Sequence, residues 1–293
     1  MKNSNLLGII NINKEKGYTS HDVVAIIRGL TRTKTGHTGT LDPDATGVLP
    51  VCLGRATKLA DYFAAEDKTY VAELITGITT TTGDISGEII SQKEPINDQE
   101  KIRMAAESFL YKNRGEYMQI PPMYSAIKIG GKKLYELARK GEVIERPARP
   151  IKIFDIEVTK TNDKILIQTS CSKGTYIRSL CADIGEALGC GATMGELTRT
   201  RSGSFHIENA ITIDKLKTID IHDILLPIDK LLPYPTVTVP TEALPRALNG
   251  NPLTLNISLP PTEKLWLKSP AAPYPLIGLY CVKDNTLRSE VML

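Results

Sequence analysis

Asp42 sits in the part of the chain whose residue types are hardest to explain by packing alone. The segment RTKTGHTGTLDPDATGVLPVCLGRATK (32–58) places Gly36, Gly39, Gly47 and Pro43 around the polar run Thr40-Leu41-Asp42-Pro43-Asp44. Glycine and proline in that density let a loop present one carboxylate in a backbone geometry that other residues resist. Taken alone, an Asp-Pro-Asp turn is as readily a plain turn whose carboxylates cap nearby amides. The segment holds no GxxxxGK(S/T), so it is not the phosphate-cradling loop of a nucleotide hydrolase. Asp42 and Asp44 share one tight turn, which ill suits a hydrolase needing carboxylates on opposite faces of a sugar. A second polar stretch, CSKGTYIRSLCADIGEALGCGA (171–192), joins strand to helix through Ser172-Lys173-Gly174-Thr175. Tyr176 and Arg178 follow two apart and project to one side if the chain is still extended there. On their own they are equally a core tyrosine and a structural arginine.

The elements that must position these residues mix two periodicities. Ser20 reads as the N-cap of a helix with Val23, Val24, Ile26, Ile27 and Leu30 on one face. Alternation marks strands in TYVAELITG, IKIFDIEVTK and KILIQTSC, and 176–188 reads as a helix stopped by Gly189. Strands separated by helices, with hairpin turns among them, indicate a mixed α/β sheet. A boundary follows: nine of the eighteen prolines fall between Pro235 and Pro275, and LLPIDKLLPYPTVTVP (225–240) reads as an extended connector. Beyond it, short strand-like pieces at 237–239, 264–268, 276–282 and 287–293 predict a small all-β appendage.

Composition narrows the chemistry further. The 293 residues are 41% hydrophobic and 24% charged with a net charge of +3, which excludes a disordered chain. No apolar run approaches the ~20 residues of a bilayer-spanning helix. The opening MKNSNLLGII lacks the apolar region and cleavage site of a signal peptide, which points to the cytoplasm. Cys52, Cys171, Cys181, Cys190 and Cys281 form no CxxC, and the four histidines do not accompany them at zinc-ligand spacing. They read as reduced thiols, with neither metal nor cofactor expected. The small net charge hides an asymmetry: 59–100 holds nine Asp/Glu against two Lys, and 101–152 twelve Lys/Arg against five Glu. A basic stretch is either a solvated face or a polyanion site. Within it, YSAIKIGGKKLYELARKG (124–141) predicts a Gly130-Gly131 hairpin turn and then a basic helix, with Tyr124 and Tyr135 among the cations. That interleaving suits RNA, through backbone contacts and base stacking.

Together these segments resemble a known family. GHTGTLDPDATGVLP is similar to the motif of the bacterial TruB-type tRNA pseudouridine synthases. KTYVAELITG supplies that family's tyrosine motif, IPPMYSAIKIGGKKLYELARKG resembles its RNA-facing segment, and SKGTYIRSLCADIGEALGCGA with Leu197 and Arg199 resembles its third signature. The match runs from about Leu7 to about Leu232 in the family's order. Thr81 stands where many members carry an Asp, a departure that bears on a loop contact and not on the chemistry. The tail is similar, more loosely, to a PUA domain.

The resemblance implies a pseudouridine synthase fold: an α/β (α+β) architecture with a mixed, largely antiparallel central sheet flanked by helices. It implies a catalytic domain over 1–232 and a small all-β, PUA-like RNA-binding domain over 236–293. The implied reaction isomerises uridine 55 in the T arm of tRNA to pseudouridine, without cofactor, metal or protein partner, by a monomer. Asp42 matches the nucleophile, which as an ordinary carboxylate needs no general base. Arg178 matches the arginine that pairs with it, and Tyr70 the tyrosine that packs on the target base, with proton transfer as its second possible role. His37 matches the histidine that enters the RNA loop, and Tyr176 and Leu197 match walls of the uracil pocket. Lys58, Lys128, Lys132 and Arg139 are the candidate phosphate contacts. The alternatives are a guide-RNA-dependent synthase and an RNA-binding or tRNA-folding protein with secondary catalysis.

Overall fold

A computed structural model describes residues 6–254, 263–271, 276–283 and 286–293. The start of the chain, on which the absence of a leader was read, lies partly outside them. The main sheet has eight strands. Its path runs Gly8–Lys14, Thr46–Leu53, Ala192–Ser202, Lys68–Thr76, Lys164–Cys171, Ile153–Thr161, and two short strands, Thr35–His37 and Phe205–His206, pair at its side. Every pairing is antiparallel except Thr46–Leu53 with Ala192–Ser202. The mixed, largely antiparallel sheet expected from the sequence is therefore present.

Period-two alternation splits the sheet's faces. On one face Ile10, Ile12, Leu49 and Val51 pack under the helix Ser20–Thr31, and Ala72, Leu74, Ile165 and Ile167 pack under Gln99–Lys112 and Ile177–Ala187. Tyr70 and Leu197 touch both clusters, so the seam between them lies at the middle of this face. On the opposite face Ile9, Val48 and Cys52 share a core with Trp266, Leu279 and Val291 of a second, five-stranded sheet. Trp266 Nε1 donates to the Leu232 carbonyl at 3.3 Å, and Arg55 and Lys58 donate to the Leu293 and Met292 carbonyls. The β-rich tail expected from the sequence is present in strands Thr236–Thr238, Leu253–Thr254, Lys264–Lys268, Leu276–Lys283 and Thr286–Met292, with a short helix, Leu244–Leu248, among them that the all-β reading did not include.

Two details of the first helix differ from the sequence expectation. Thr19, not Ser20, is the N-cap, because Thr19 and Asp22 satisfy each other's backbone amides as a capping box. Ser20 is the first helical residue, and its hydroxyl turns inward. Leu30, expected on the core face, is 48% exposed, since the buried stripe is Val23, Val24 and Ile27. The Gly130-Gly131 turn forms as expected, with positive φ at both positions between Lys128–Ile129 and Lys132–Lys133. The helix after it is short, Leu134–Ala138, so the lysines lie on the hairpin and Arg139 at the helix end. No helix among the described residues is long and apolar enough to cross a membrane.

Candidate active site

A cleft of about 300 Å³ opens over the seam, with Asp42, Tyr70, Tyr176, Arg178, Leu197 and Arg199 among its lining residues. Asp42 lies in the loop between Thr35–His37 and Thr46–Leu53, with half of its side chain exposed. Arg178 meets it from the other side of the cleft, Nη2 to Oδ2 at 3.2 Å, and is itself buried. The same nitrogen donates to the Tyr124 carbonyl at 2.7 Å, and Nη1 donates to the Thr82 carbonyl at 3.3 Å. Nη1 also faces Asp84 Oδ2 at 3.6 Å. Tyr176 and Arg178 do not share an extended segment: Tyr176 is the extended N-cap and Arg178 lies in the first turn of Ile177–Ala187. Both still reach the cleft. Gln119 fixes the turn, accepting from the Tyr176 amide at 2.8 Å and donating to its carbonyl at 3.0 Å.

The Asp42 loop is anchored by side chains that the sequence reading did not connect to it. Ser20 Oγ accepts from the Leu41 amide at 2.8 Å and donates to the Leu41 carbonyl at 3.1 Å. Lys14, fully buried at the end of its strand, donates to the carbonyls of Pro43, Tyr18 and Glu15. Burial pushes its ammonium down to about 8, against the pull of Asp44 and Asp42. Arg199 stretches behind the loop, Nε to the Val48 carbonyl at 2.7 Å and Nη2 to the Gly39 carbonyl at 3.2 Å. Its backbone passes so close to Gly47 (φ +104°) that a Cβ there would sit 2.2 Å from the Arg199 carbonyl oxygen. Lys14 and Arg199 carried one available signal: each is a cation inside an otherwise strand-like run.

Tyr70 projects from Lys68–Thr76 opposite Arg199 and Thr169. Burial pushes its phenol up, outweighing the opposing effect of Arg199. Burial raises the Tyr176 phenol as well. His37 is half-buried, accepts from the Gly39 amide at Nδ1 (3.3 Å), and meets His21 edge-on at 5.4 Å. Burial, then the nearby His21 and Arg199, lower its imidazole below the ordinary value. Lys68, buried beside the cleft, donates to the Ala64 carbonyl at 2.7 Å and is pushed down to about 8 by burial. Thr38 Oγ1 is buried at the cleft's edge with no hydrogen-bond partner among the described residues.

Thr81 closes its own turn, its hydroxyl accepting from the Glu88 amide at 3.1 Å. The acidic contact that its position suggested comes instead from Asp84, three residues on, which faces Arg178. Burial pushes the Asp84 carboxyl up, but hydrogen bonds from Ser86 and Thr82 and the Arg178 charge hold it below the usual carboxylate range. Of the expected phosphate contacts, Lys128, Lys132 and Arg139 are exposed on the arm that continues from the cleft-lining Tyr124, Ser125 and Ala126. Lys58 stands outside the cleft, its ammonium on the Met292 carbonyl at 2.8 Å. Among the described residues no cluster of His, Cys, Asp and Glu could hold a metal ion.

The cleft can therefore present one exposed carboxylate, clamped by a buried guanidinium, to a planar group held between rings and an aliphatic wall. Comparison with known proteins gives that arrangement a family. The model of the TruB family pseudouridylate synthase N-terminal domain matches 28–177, and that of the tRNA pseudouridylate synthase B C-terminal domain matches 178–233. The tRNA pseudouridine synthase B of Alkaliphilus oremlandii is 51% identical over 253 residues, 85% of this chain and 83% of its own. That of Clostridium kluyveri is 48% identical over 246 residues, 83% and 84% of the two chains. A chain from a solved Cbf5-Nop10-Gar1 complex matches 98% of this chain and 84% of its own, at 28% identity with a TM-score of 0.68. Near-half identity across most of the chain, with two family models end to end, leaves one conclusion: the chain belongs to the TruB family of tRNA pseudouridine synthases.

Proposed function

We propose that this synthase acts on uridine 55 of the tRNA T arm, with Asp42 as the nucleophile. The observation that carries the reading is the exposed Asp42 carboxylate held 3.2 Å from the buried Arg178 guanidinium inside the cleft. The N1–C1′ bond breaks, the uracil turns while bound, C5 joins C1′, and the proton leaving C5 balances the one gained at N1. Tyr70 stacks on the base: its raised phenol keeps the proton at neutral pH and is poorly suited to act as a base. Tyr176 and Leu197 wall the uracil, and His37 fills the space that the flipped nucleotide leaves. Its depressed imidazole suits a neutral, stacking role. Lys128, Lys132 and Arg139 take backbone phosphates, and Lys58 takes one where the RNA passes the second sheet. That sheet, with 236–293 as its unit, adds RNA contact area. The enzyme works as a monomer without a protein partner, in the cytoplasm where tRNA is processed.

Asp42→Asn tests the assignment. It keeps size and hydrogen bonding but not nucleophilicity, so tRNA binding stays within a few-fold while mapping of an unmodified transcript detects no pseudouridine. Appreciable turnover overturns the role of Asp42. One observation favours a second reading, a guide-RNA-dependent synthase: the likeness to the solved Cbf5-Nop10-Gar1 chain. Modification of a T-arm transcript by the purified chain alone decides between the two.

A further inference from the structure

A second cleft, of about 400 Å³, lies on the outer edge of the main sheet. Its lining residues are Leu110, Arg114, Gly115, Lys152, Ile153 and Phe154. None of them belongs to the chemistry described above. Phe154 is there because of a register shift in the edge strand. Ile153 pairs with Cys171 and Asp155 with Ser170, so Phe154 is the extra residue of a bulge. The bulge keeps both Ile153 and Ile156 against the core and turns Phe154 outward, 49% exposed. An exposed phenylalanine on an edge strand invites aggregation unless something covers it. Two cations stand beside it. Arg114, just past the helix Gln99–Lys112, holds its guanidinium 4.1 Å from the centroid of the exposed Tyr111 ring. Lys152 is exposed, and neither cation has an ion-pair partner among the described residues.

The linings of the two clefts are tied together by hydrogen bonds between Lys152 and Ser172. The Lys152 amide donates to Ser172 Oγ, and the Ser172 amide donates to the Lys152 carbonyl, both at 2.8 Å. Ser172 and Lys173 line the catalytic cleft. Lys152 of the edge cleft is thus hydrogen-bonded to a residue adjacent to Lys173 of the catalytic cleft. A ring and two unpaired cations around an open cleft form the elements of a single-stranded RNA site: a platform for a base and a counter-charge for its phosphate.

We infer that this edge cleft is a second nucleotide site for the substrate RNA, with an unpaired base stacked on Phe154 and its phosphate held by Arg114 and Lys152. The inference rests on the RNA substrate of the preceding reading and extends it to a surface outside the active site. The occupant is an unpaired nucleotide because Phe154 needs a free base face, and a duplex would offer only its backbone.

The test is equilibrium binding of unmodified full-length tRNA across a salt series by wild type, Phe154→Ala, Phe154→Trp, and the double variant Arg114→Gln/Lys152→Gln. Phe154→Ala should weaken binding about fivefold or more, and Phe154→Trp should restore it. The double variant should lower the slope of log Kd against log salt by about 0.7, the contribution of one phosphate contact on a single strand. All three side chains are exposed, so thermal melts should match wild type and separate lost binding from lost folding. Wild-type affinity and slope in both Phe154→Ala and the double variant overturn the inference. Wild-type protein that binds no tRNA would instead overturn the RNA reading on which it stands.

Discussion

Arg178→Lys isolates what the guanidinium does beyond supplying charge. Two nitrogens of Arg178 serve four acceptors: Nη2 holds Asp42 and the Tyr124 carbonyl, and Nη1 holds the Thr82 carbonyl and faces Asp84. A lysine ammonium keeps the positive charge but is a single point with no fork, so it serves one side of that arrangement and abandons the other. Charge-assisted hydrogen bonds contribute about 1.5–3 kcal/mol each, so losing the two at Nη2 sets a ceiling near 3–6 kcal/mol. Half of the Asp42 side chain is exposed, and water recovers part of its share. The remaining loss is about 2–3 kcal/mol. If it falls on the orientation of Asp42 at the reacting uridine, the rate drops about 30- to 150-fold.

Single-turnover pseudouridine formation on a tRNA transcript measures that rate, with tRNA affinity and thermal melting as controls. Affinity should change little, because Arg178 is buried behind Asp42 rather than at the rim. Asp84→Asn, which touches the same guanidinium at a looser 3.6 Å, should cost less than tenfold. Combined with Arg178→Lys it should add less than its single effect, since both changes disturb one network. A folded Arg178→Lys enzyme turning over within threefold of wild type would refute the orienting role. So would a loss confined to tRNA affinity.

Other changes probe the scaffold and the rings. Ser20→Ala leaves both the Leu41 amide and carbonyl without their partner, and denaturant unfolding should show a loss of about 1–3 kcal/mol together with slower turnover; unchanged turnover would separate that anchor from Asp42. Gly47→Ala drives a Cβ to 2.2 Å from the Arg199 carbonyl at φ +104°, so soluble yield should collapse, and a wild-type melt would contradict the close packing drawn here. Tyr70→Phe should retain turnover within about fivefold, since the raised phenol is read as a stacking ring; a loss of a hundredfold would return the hydroxyl to the chemistry. His37 binds its proton more weakly folded than unfolded, so its stability contribution is complete above about pH 6.5 and is lost as pH falls through the lower folded value. In His37→Asn, unfolding measured from pH 7.5 to 5 should show a shallower decline, and an identical pH slope would remove His37 from the linkage.

The residues that face the cleft were legible in the sequence, and the residues that hold them were not. Asp42, Tyr70, Tyr176, Arg178 and Leu197 all line one cleft, as their motifs suggested. Only Asp42 sits in a segment whose glycines and polar run mark it on residue types alone; the roles of Tyr70, Tyr176, Arg178 and Leu197 come from the family resemblance. Ser20 and Asp84 carry no such local mark, and Lys14 only that of a cation in an otherwise strand-like run. Lys14 ends an apolar strand, Ser20 has the residue type of a cap, and Asp84 sits in a turn rich in residues that make turns. Their partners are 29, 21 and 94 positions away, a pairing that periodicity does not encode. The capping difference is partly local: Thr19 and Ser20 are both acceptable caps by type, the Thr19–Asp22 capping box selects Thr19, and the distant Leu41 backbone takes the Ser20 hydroxyl. The Phe154 bulge is likewise invisible, because a strand with one extra residue still reads as alternation broken once.

The division between visible and hidden residues also bears on how the enzyme works. Four of the side chains that fix the Asp42 loop and its clamp, Lys14, Ser20, Arg178 and Arg199, are buried and satisfied by backbone carbonyls or amides before any RNA arrives. The loop therefore requires no RNA contact to reach its shape, and the carboxylate is oriented in advance. Preorganised charge of this kind acts at the reacting bond without a reorganisation cost at the moment of reaction. If the basic arm and the edge cleft bind RNA as proposed, their binding energy is free for the step that does need it. Pulling one uridine out of a folded loop costs a few kcal/mol. Weakening the outer contacts should consequently slow base flipping and leave the chemical step on an already flipped base untouched, whereas loosening Ser20 or Arg178 should do the reverse. A pre-steady-state experiment with 2-aminopurine beside the target uridine resolves the two steps. Equal slowing of both steps in Ser20→Ala would show that the loop is assembled by the RNA rather than before it.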